Sequence, residues 1–388
     1  MPDLKTKTGN IPAAGRQARP LLRRLHRGRL EQVWIYLGKL LRMFVYQNDW
    51  KVLPMSALVA GLVTMVIKGS MFINMEGTLR GAFALACVGI WNGCFNSIQV
   101  VCRERDIVKR EHRSGMHISS YLTAHAIYQA LLCLAQTVLT MYVCHMTRVR
   151  FPAEGIFTSA MIFDIGISMF LITYAADMMA LFISCICHTT TAAMTIMPFI
   201  LIFQLVFSGG MFTLPQWIMP LTELTVSNYG LKVIASQSDY NNLPMATGWN
   251  TLYRMRNEEV TITTTAGQLM DLLSDESDPS VAEIRATPVA DPVTAGMMLD
   301  QVAASPEFEQ KKDDPITYRT TVGELIKMCG EKEVRDLIEK KTAEASRVDE
   351  YAQDPALILG YWLRLIAFSV VFLALSVIVM EFIDRDHR

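Results

Sequence analysis

Six apolar stretches, each near or above the roughly 20 residues needed to cross a bilayer core, dominate this chain and restrict it to a polytopic helical membrane protein. They lie at about 52–72, 81–101, 119–146, 155–186, 192–211 and 356–383. The third and fourth are long enough to tilt or to extend beyond the bilayer. With 51% hydrophobic and only 19% charged residues, the chain is too apolar for an ordinary soluble domain. No secretory signal is evident at the start, because no short apolar core with a small-residue exit follows the basic residues 16–29.

The net charge of −1 conceals an asymmetry. Residues 1–50 carry ten Lys/Arg against three Asp/Glu, whereas residues 241–355 carry twelve against twenty-two. Basic loops stay cytoplasmic, so the leader 1–28 and the run 103–113 belong on the inner side. Six spans then return the tail Asp384–Arg388 to the cytoplasm and place 214–355 outside. Arg148 and Arg150, in a short outer loop, oppose this orientation and are outnumbered.

Between the leader and the first span, Leu30, Val33, Trp34, Leu37, Leu40, Leu41, Phe44 and Val45 recur at helical spacing, with Arg29, Lys39 and Arg42 off that stripe. This predicts an amphipathic helix over 29–50, lying along the membrane interface; a surface helix of a soluble domain is the alternative. After the fifth span, 214–240 reads as short helices returning to the outer membrane surface. The acidic segment 241–355 reads as a mostly helical outer domain, with helical character at Glu258–Leu273, Val322–Cys329 and Glu333–Ala345; disorder across 274–318 is the competing reading. The sequence shows no evident internal repeat. Seven of the eight cysteines lie in or beside the apolar segments, which fits small packing residues. The acidic block holds only Cys329 and so forms no internal disulfide. Cys185, Cys187 and His188 are too tightly spaced and too isolated for a zinc site.

No phosphate-cradling Gly-x4-Gly-Lys-Ser/Thr loop, nucleophile elbow, His-Glu-x-x-His pair or dinucleotide turn occurs, so the chain is not expected to be an enzyme or to bind a cofactor itself. The most distinctive local feature is instead the charged run from Cys102 to Tyr121, set between two spans. There Arg103, Arg105, Lys109 and Arg110 alternate with Glu104, Asp106 and Glu111. A simple topology anchor needs only positive charge, whereas alternating signs suit ion pairing within the chain and with a soluble partner.

Four local patterns resemble the membrane domain of the ABCG-like subfamily of ATP-binding-cassette exporters, the type-2 permease fold. Gln32 and Arg42 precede the first span as in that group. Asn92-Gly-Cys-Phe95-Asn-Ser97 is similar to its second span. Glu104-Arg105, Arg110-Glu111, Ser114-Gly115 and Ser119-Ser120-Tyr121 follow its Glu-Arg…Arg-Glu…Ser-Gly…Ser-Tyr run, the most specific of the four. Phe207-Ser-Gly-Gly210 and Tyr229-Gly230 resemble the end of its fifth span and its re-entrant helices. The resemblance covers about residues 30–240 plus the last span.

The resemblance implies a homo- or heterodimeric permease in the cell membrane, moving an amphipathic lipid, peptide or drug-like cargo outward. A separate nucleotide-binding subunit would carry ATP and Mg, since this chain opens on a short basic leader without the fused ATPase of that group. Arg103, Glu104, Arg105, Arg110 and Glu111 would couple to the ATPase. Asn92, Phe95 and Asn96 on the second span, with Pro198 and Ile202 on the fifth, would line the pathway; the two asparagines could equally bond to neighbouring helices. Where the group carries a bulky outer plug, this sequence has the smaller, softer pair Gly210-Met211. Its outer segment is also longer than in multidrug members and lacks their paired cysteines.

Two acids, Asp164 and Asp177, fall within the fourth span and read either as a proton or cation site or as structural partners of a Lys, Arg or Tyr. The many methionines fit packing between membrane helices or a cavity open to varied apolar ligands. A different class of function, a receptor or scaffold presenting the acidic outer domain, stays open. No feature suggests nucleic-acid binding.

Overall fold

The computed structural model describes residues 28–46, 49–210, 215–274, 279–290 and 293–382. The expected leader up to residue 27, Met211 and the tail from residue 383 lie outside these. The chain forms α1 (Arg29–Tyr46), α2 (Val52–Ile67), α3 (Met75–Ser97), α4 (Val100–Arg113), α5 (Ile118–Met146), α6 (Met161–Ile186) and α7 (Thr190–Val206). Two shorter helices, α8 (Met219–Thr222) and α9 (Val226–Gln237), precede an inserted domain, and α17 (Pro355–Glu381) closes the bundle. This is an all-α polytopic membrane architecture. Among the described residues, five helical segments are long and apolar enough to cross a membrane: 49–67, 75–113, 118–146, 161–186 and 355–381. The sixth expected span, α7, has 17 residues, at the short end of spanning length.

Helix α6 is the centre of the bundle. Sixteen of its 26 residues are buried, so protein rather than lipid surrounds it. Its closest neighbour is α3, and glycine makes that approach possible. A Cβ on Gly93 would sit 2.2 Å from the Thr173 carbonyl oxygen and 2.8 Å from the Asp177 nitrogen; one on Gly89 would meet Thr173 and Ile172 at 3.1–3.2 Å. Small residues four apart let two backbones touch, which substitutes for the hydrophobic drive that lipid cannot supply between helices. By contrast, α7 buries only Ala193, Met197, Leu201 and Gln204, a single stripe on an otherwise exposed helix.

The two ends of the bundle differ. At one end α4 turns off α3, and α1 lies across α5 through Val33, Leu37 and Leu40 against Ala124 and Tyr128. At the other end all twelve residues of α9 are buried among α3, α6 and α17. Gln204 on α7 fixes the start of α9 by accepting from the Ser227 amide at 3.1 Å, while the Ser227 hydroxyl donates to the Gln204 carbonyl. Gln237 at its far end donates to the Asp164 carbonyl at 3.2 Å.

The inserted domain leaves and rejoins the bundle at one point. Asn241 Nδ2 donates to the Val348 carbonyl at 2.9 Å, and the Val348 amide returns a 3.0 Å bond to Asn241 Oδ1. Just inside that clasp, α10 (Ala246–Arg254) directs its first amides at Glu76 of α3, with Thr247 N at 2.7 Å. Favourable interaction of a carboxylate with a helix N-terminus fixes the angle of the domain.

Beyond α10 come β1 (Glu259–Thr265), α11 (Ala266–Ser274), α12 (Pro279–Ala286), β2 (Pro288–Ala290), β3 (Val293–Thr294), α13 (Ala295–Ala303), α14 (Pro306–Lys311), β4 (Pro315–Thr321), α15 (Val322–Met328) and α16 (Glu331–Ala345). The helical character expected over Glu258–Leu273 therefore holds only from Ala266. Residues 259–265 are a strand, antiparallel to β4 with Glu259 opposite Thr321 and Thr265 opposite Pro315. β-Branched Val, Ile and Thr dominate both strands and favour that state.

The structure also exposes an internal repeat that the sequence reading missed. Three helices begin on Thr265-Ala-Gly267, Thr294-Ala-Gly296 and Thr321-Val-Gly323, each with apolar residues four, five and eight positions after the threonine. In the first and third units the threonine hydroxyl and a Gln268 or Glu324 side chain cap each other's backbone, the reciprocal capping box. Those two units are related by a local two-fold: Gly267 N bonds the Lys312 carbonyl at 2.9 Å and Gly323 N bonds the Arg256 carbonyl at 2.8 Å. A Cβ at Gly323 would press on that same Arg256 oxygen at 3.0 Å, and one at Gly267 would press on Lys312.

Candidate coupling surface and membrane-embedded polar sites

The charged run forms α4 and the turn leading into α5, and the structure divides its residues between two faces. Val101, Cys102 and Val108 are buried and seat the helix. Its first amides, on Val101 and Cys102, donate to the Ser184 hydroxyl at 3.0 and 3.2 Å. Arg105 reaches the open end of α6, donating through Nη1 to the carbonyls of Cys185 (2.8 Å) and Cys187 (3.3 Å). A cation there satisfies carbonyls that no helical amide can reach and offsets the negative end of the α6 dipole. Glu111 accepts from the Tyr36 hydroxyl of α1 at 2.9 Å. Burial, together with that carboxylate, pushes the Tyr36 phenol above its ordinary range, so it stays a donor. Glu104 faces Tyr121, 3.5 Å away.

Gln32 on α1 reads the end of the same run: its Oε1 accepts from the His117 amide at 3.0 Å and its Nε2 reaches the Gly115 carbonyl at 3.5 Å. Arg103, Asp106, Ile107, Arg110 and Arg113 are exposed, at spacings that keep them on one side of the helix. Of the five residues singled out from the sequence, then, Glu104, Arg105 and Glu111 bond within the permease, and Arg103 and Arg110 are exposed.

The expected pathway residues are likewise separated. Asn92 is buried and donates to the Ser56 hydroxyl of α2 at 2.8 Å. Asn96 makes a reciprocal amide pair with Gln136 of α5, at 2.8 and 3.0 Å. Both therefore hold neighbouring helices. The exposed residues in the second half of α3 are instead Phe95 and its neighbour Trp91, with ring centroids 6.0 Å apart. Pro198 and Ile202 are exposed on α7, together with Phe199 and Phe203. At the end of that helix, a Cβ on Gly210 would lie 2.7 Å from Leu231 of α9.

The two acids of α6 are fully buried, and among the described residues neither takes the Lys, Arg or Tyr hydrogen-bond or ion-pair partner foreseen for a structural role. Asp164 Oδ2 accepts from the Ile156 and Phe157 amides at 2.6 and 3.0 Å and so shapes the loop before α6. Asp177 accepts from the Cys133 thiol at 3.1 Å, with Ser97 and Asn96 beside it. Nearby backbone and neutral side chains, unlike a distant cation, left no charge pattern for sequence reading to find.

A polar centre at the insertion end was missed altogether. Lys232 on α9 is only 6% exposed and lies 3.1 Å from Glu350 and 3.7 Å from Glu223. The Tyr229 hydroxyl donates to Glu223 and, with Lys232, holds that carboxyl below its usual range, while burial raises the Tyr229 phenol to about 12. Arg364 of α17 stacks over Tyr229 and Tyr361 at 5.2 and 5.9 Å. A lysine within a short apolar helix was the available signal: isolated, it would cost several kcal/mol to bury, so acids had to be close by.

The model of the ABC-2 type transporter family matches residues 31–234, more than half of the chain, from α1 to the body of α9. The chain belongs to that family. The matched region is a membrane-embedded permease component of the ATP-binding-cassette transport class. No curated protein matches it closely enough to narrow the assignment.

Proposed function

We propose that this chain is the permease half of an ATP-driven, ABCG-like exporter, carrying an amphipathic cargo outward by alternating access. The partition of α4 is the observation that carries this reading. One face is bonded to the body through Arg105, Glu111 and Ser184. The other presents Arg103, Asp106, Ile107, Arg110 and Arg113, a net positive patch with an apolar centre. A push on that exposed face reaches α6 through Arg105, α1 through Glu111 and α3 by direct chain connection. The partner is a nucleotide-binding subunit that holds ATP and Mg and offers acidic groups to this patch. In this reading α4 and both chain ends are cytoplasmic, the acidic insertion is outside, and the host is the cell membrane. The exposed aromatic faces of α3 and α7 are where a second protomer would close the pathway, with lipid on the remaining flanks.

The test is gentle purification of the complex with an ATPase assay. A stoichiometric ATPase subunit that is lost when Arg103 and Arg110 are both changed to Glu supports the proposal. Recovery of the permease alone, or unchanged association after that double reversal, overturns the coupling assignment. Recovery alone would also favour the receptor or scaffold reading of the outer domain.

A further inference from the structure

A cleft of about 190 Å³ opens at the α4 end, away from the exposed α7 surface. It is walled by α1 (Leu40, Met43), the start of α2 (Asp49, Val52), the α3–α4 corner (Phe95, Arg103, Glu104) and α5 (His125, Gln129, Leu132). Two of its polar groups stand out. His125 is 2% exposed and Gln129 is 1% exposed. Both ring nitrogens of His125 and the Oε1 of Gln129 have no hydrogen-bond partner among the described residues. A buried polar atom without a partner costs about 1–3 kcal/mol, and two neighbouring side chains bearing that cost around one cavity point to an occupant.

The chemistry of the lining selects the occupant. A Gln carbonyl oxygen accepts only, and a neutral imidazole offers one accepting nitrogen. The carboxylates of Asp49 and Glu104 also accept only, while Arg103 on the wall and Lys39 near His125 offset their charge. Asn96, though on the wall, already has its amide committed to Gln136. The site is therefore rich in unpartnered acceptors, matching a group that carries several N–H donors. Size limits it further. A water molecule's share of liquid is about 30 Å³, so the cleft holds a compact head group and some solvent, not an acyl chain. A chain attached to that head has a path beside it, over the exposed rings of Phe95 and Trp91 on α3.

We propose that this cleft is a head-group site for a membrane-borne amphiphile with a primary ammonium group, entered from the leaflet at the α4 end. The ammonium donates to Gln129 Oε1, to the accepting nitrogen of His125, and to a carboxylate of Asp49 or Glu104. The proposal deepens the transport reading by naming a class of ligand, but the site is walled by one protomer and binds without the ATPase.

The test uses full-length permease alone, in phosphatidylcholine nanodiscs, with a long-chain primary amine carrying a photoreactive tail. Its N,N,N-trimethyl analogue has the same charge and no N–H donor. The expected result is labelling of α3 and α5 by the amine about tenfold above the trimethyl analogue. Gln129→Leu should lower amine labelling about tenfold and leave the analogue unchanged, the effect of one hydrogen bond to a charged group. Gln129→Glu, which keeps an acceptor, should retain or raise amine labelling and so guards against a Leu variant that fails to fold. Equal labelling by amine and analogue overturns the proposal. Displacement by soluble ethanolamine as effective as by unlabelled dodecylamine overturns its membrane-borne part. Selective labelling in a protein that recruits no ATPase would refute the transport reading alone; amine-blind labelling in a complex that still exports would refute only this site.

Discussion

Replacing Arg105 by Gln separates the anchoring face of α4 from its exposed face. Arg105 makes two bonds to the carbonyls at the end of α6, at 2.8 and 3.3 Å. A hydrogen bond from a charged donor contributes about 1.5–3 kcal/mol, and the longer of the two contributes less. Interaction with the helix terminus adds about 0.3–1 kcal/mol. Because the side chain is only half-buried, water replaces part of what is lost, leaving about 2–3 kcal/mol. A cooperative unit of about 200 residues loses roughly 2–4 °C in Tm per kcal/mol, so Arg105→Gln should unfold about 4–12 °C below the parent. The assay is tryptophan fluorescence during heating of the purified permease in lipid nanodiscs. Arg105→Lys should recover part of the difference, because an ammonium can reach one carbonyl but not fork between two. Arg103→Gln and Arg110→Gln should move Tm by no more than about 1 °C, as exposed substitutions do. Equal losses at Arg103 and Arg105, or none at Arg105, would refute the division of α4 into two faces.

Three further outcomes are expected. Asn96→Leu should cost about 1–3 kcal/mol by orphaning Gln136, and the Asn96→Leu/Gln136→Leu double variant should recover much of it; equal losses in a double-mutant cycle would show that the two amides do not act as a pair. Gly93→Leu should abolish the folded monodisperse peak in size-exclusion chromatography, because even its Cβ collides with the Thr173 carbonyl, whereas Gly38→Ala, with open space around it, should leave the peak intact. Glu223 has its acidity strengthened in the fold, so its contribution is complete above the ordinary carboxylate value of 4.5 and is lost as pH falls through the lower folded value. Glu223→Gln should flatten the fall of Tm below pH 4.5 and leave its slope between pH 6 and 8 unchanged.

Much of the membrane scaffold was legible because lipid imposes a strong rule: long apolar runs must be helices, and Ile118–Met146 and Pro355–Glu381 lie within two residues of the stretches read from the sequence. The sites were less legible, because a residue's type does not reveal which way it points. Glu104 and Arg103 are adjacent in the chain, yet one turns toward Tyr121 and the other is exposed. Asn92 and Asn96 were recognisable as polar groups at depth, but Ser56 and Gln136 were not recognisable as their partners, since each lies on a different helix dozens of residues away. In the insertion, the strand at 259–265 was hidden by its immediate continuation into α11, so alternation and helical periodicity ran together. The repeat was hidden because its invariant part is only a threonine and a glycine at each helix start.

The clasp between Asn241 and Val348 makes the insertion modular. Its two ends are bonded to each other rather than stretched across the bundle, and the insertion meets the membrane helices just inside that stem, through Thr247 on Glu76 and Ala343 in the cluster with Met75. Adding or removing chain beyond a closed stem changes closure entropy only logarithmically, about 0.6 kcal/mol for each doubling of length. A domain built of Thr-x-Gly units can therefore grow or shrink by whole units while α9 and α17 keep their places. The same stem is a ready graft point, where an affinity tag, a fluorescent reporter or a foreign binding domain could replace the native units and leave the permease beneath it to fold as before.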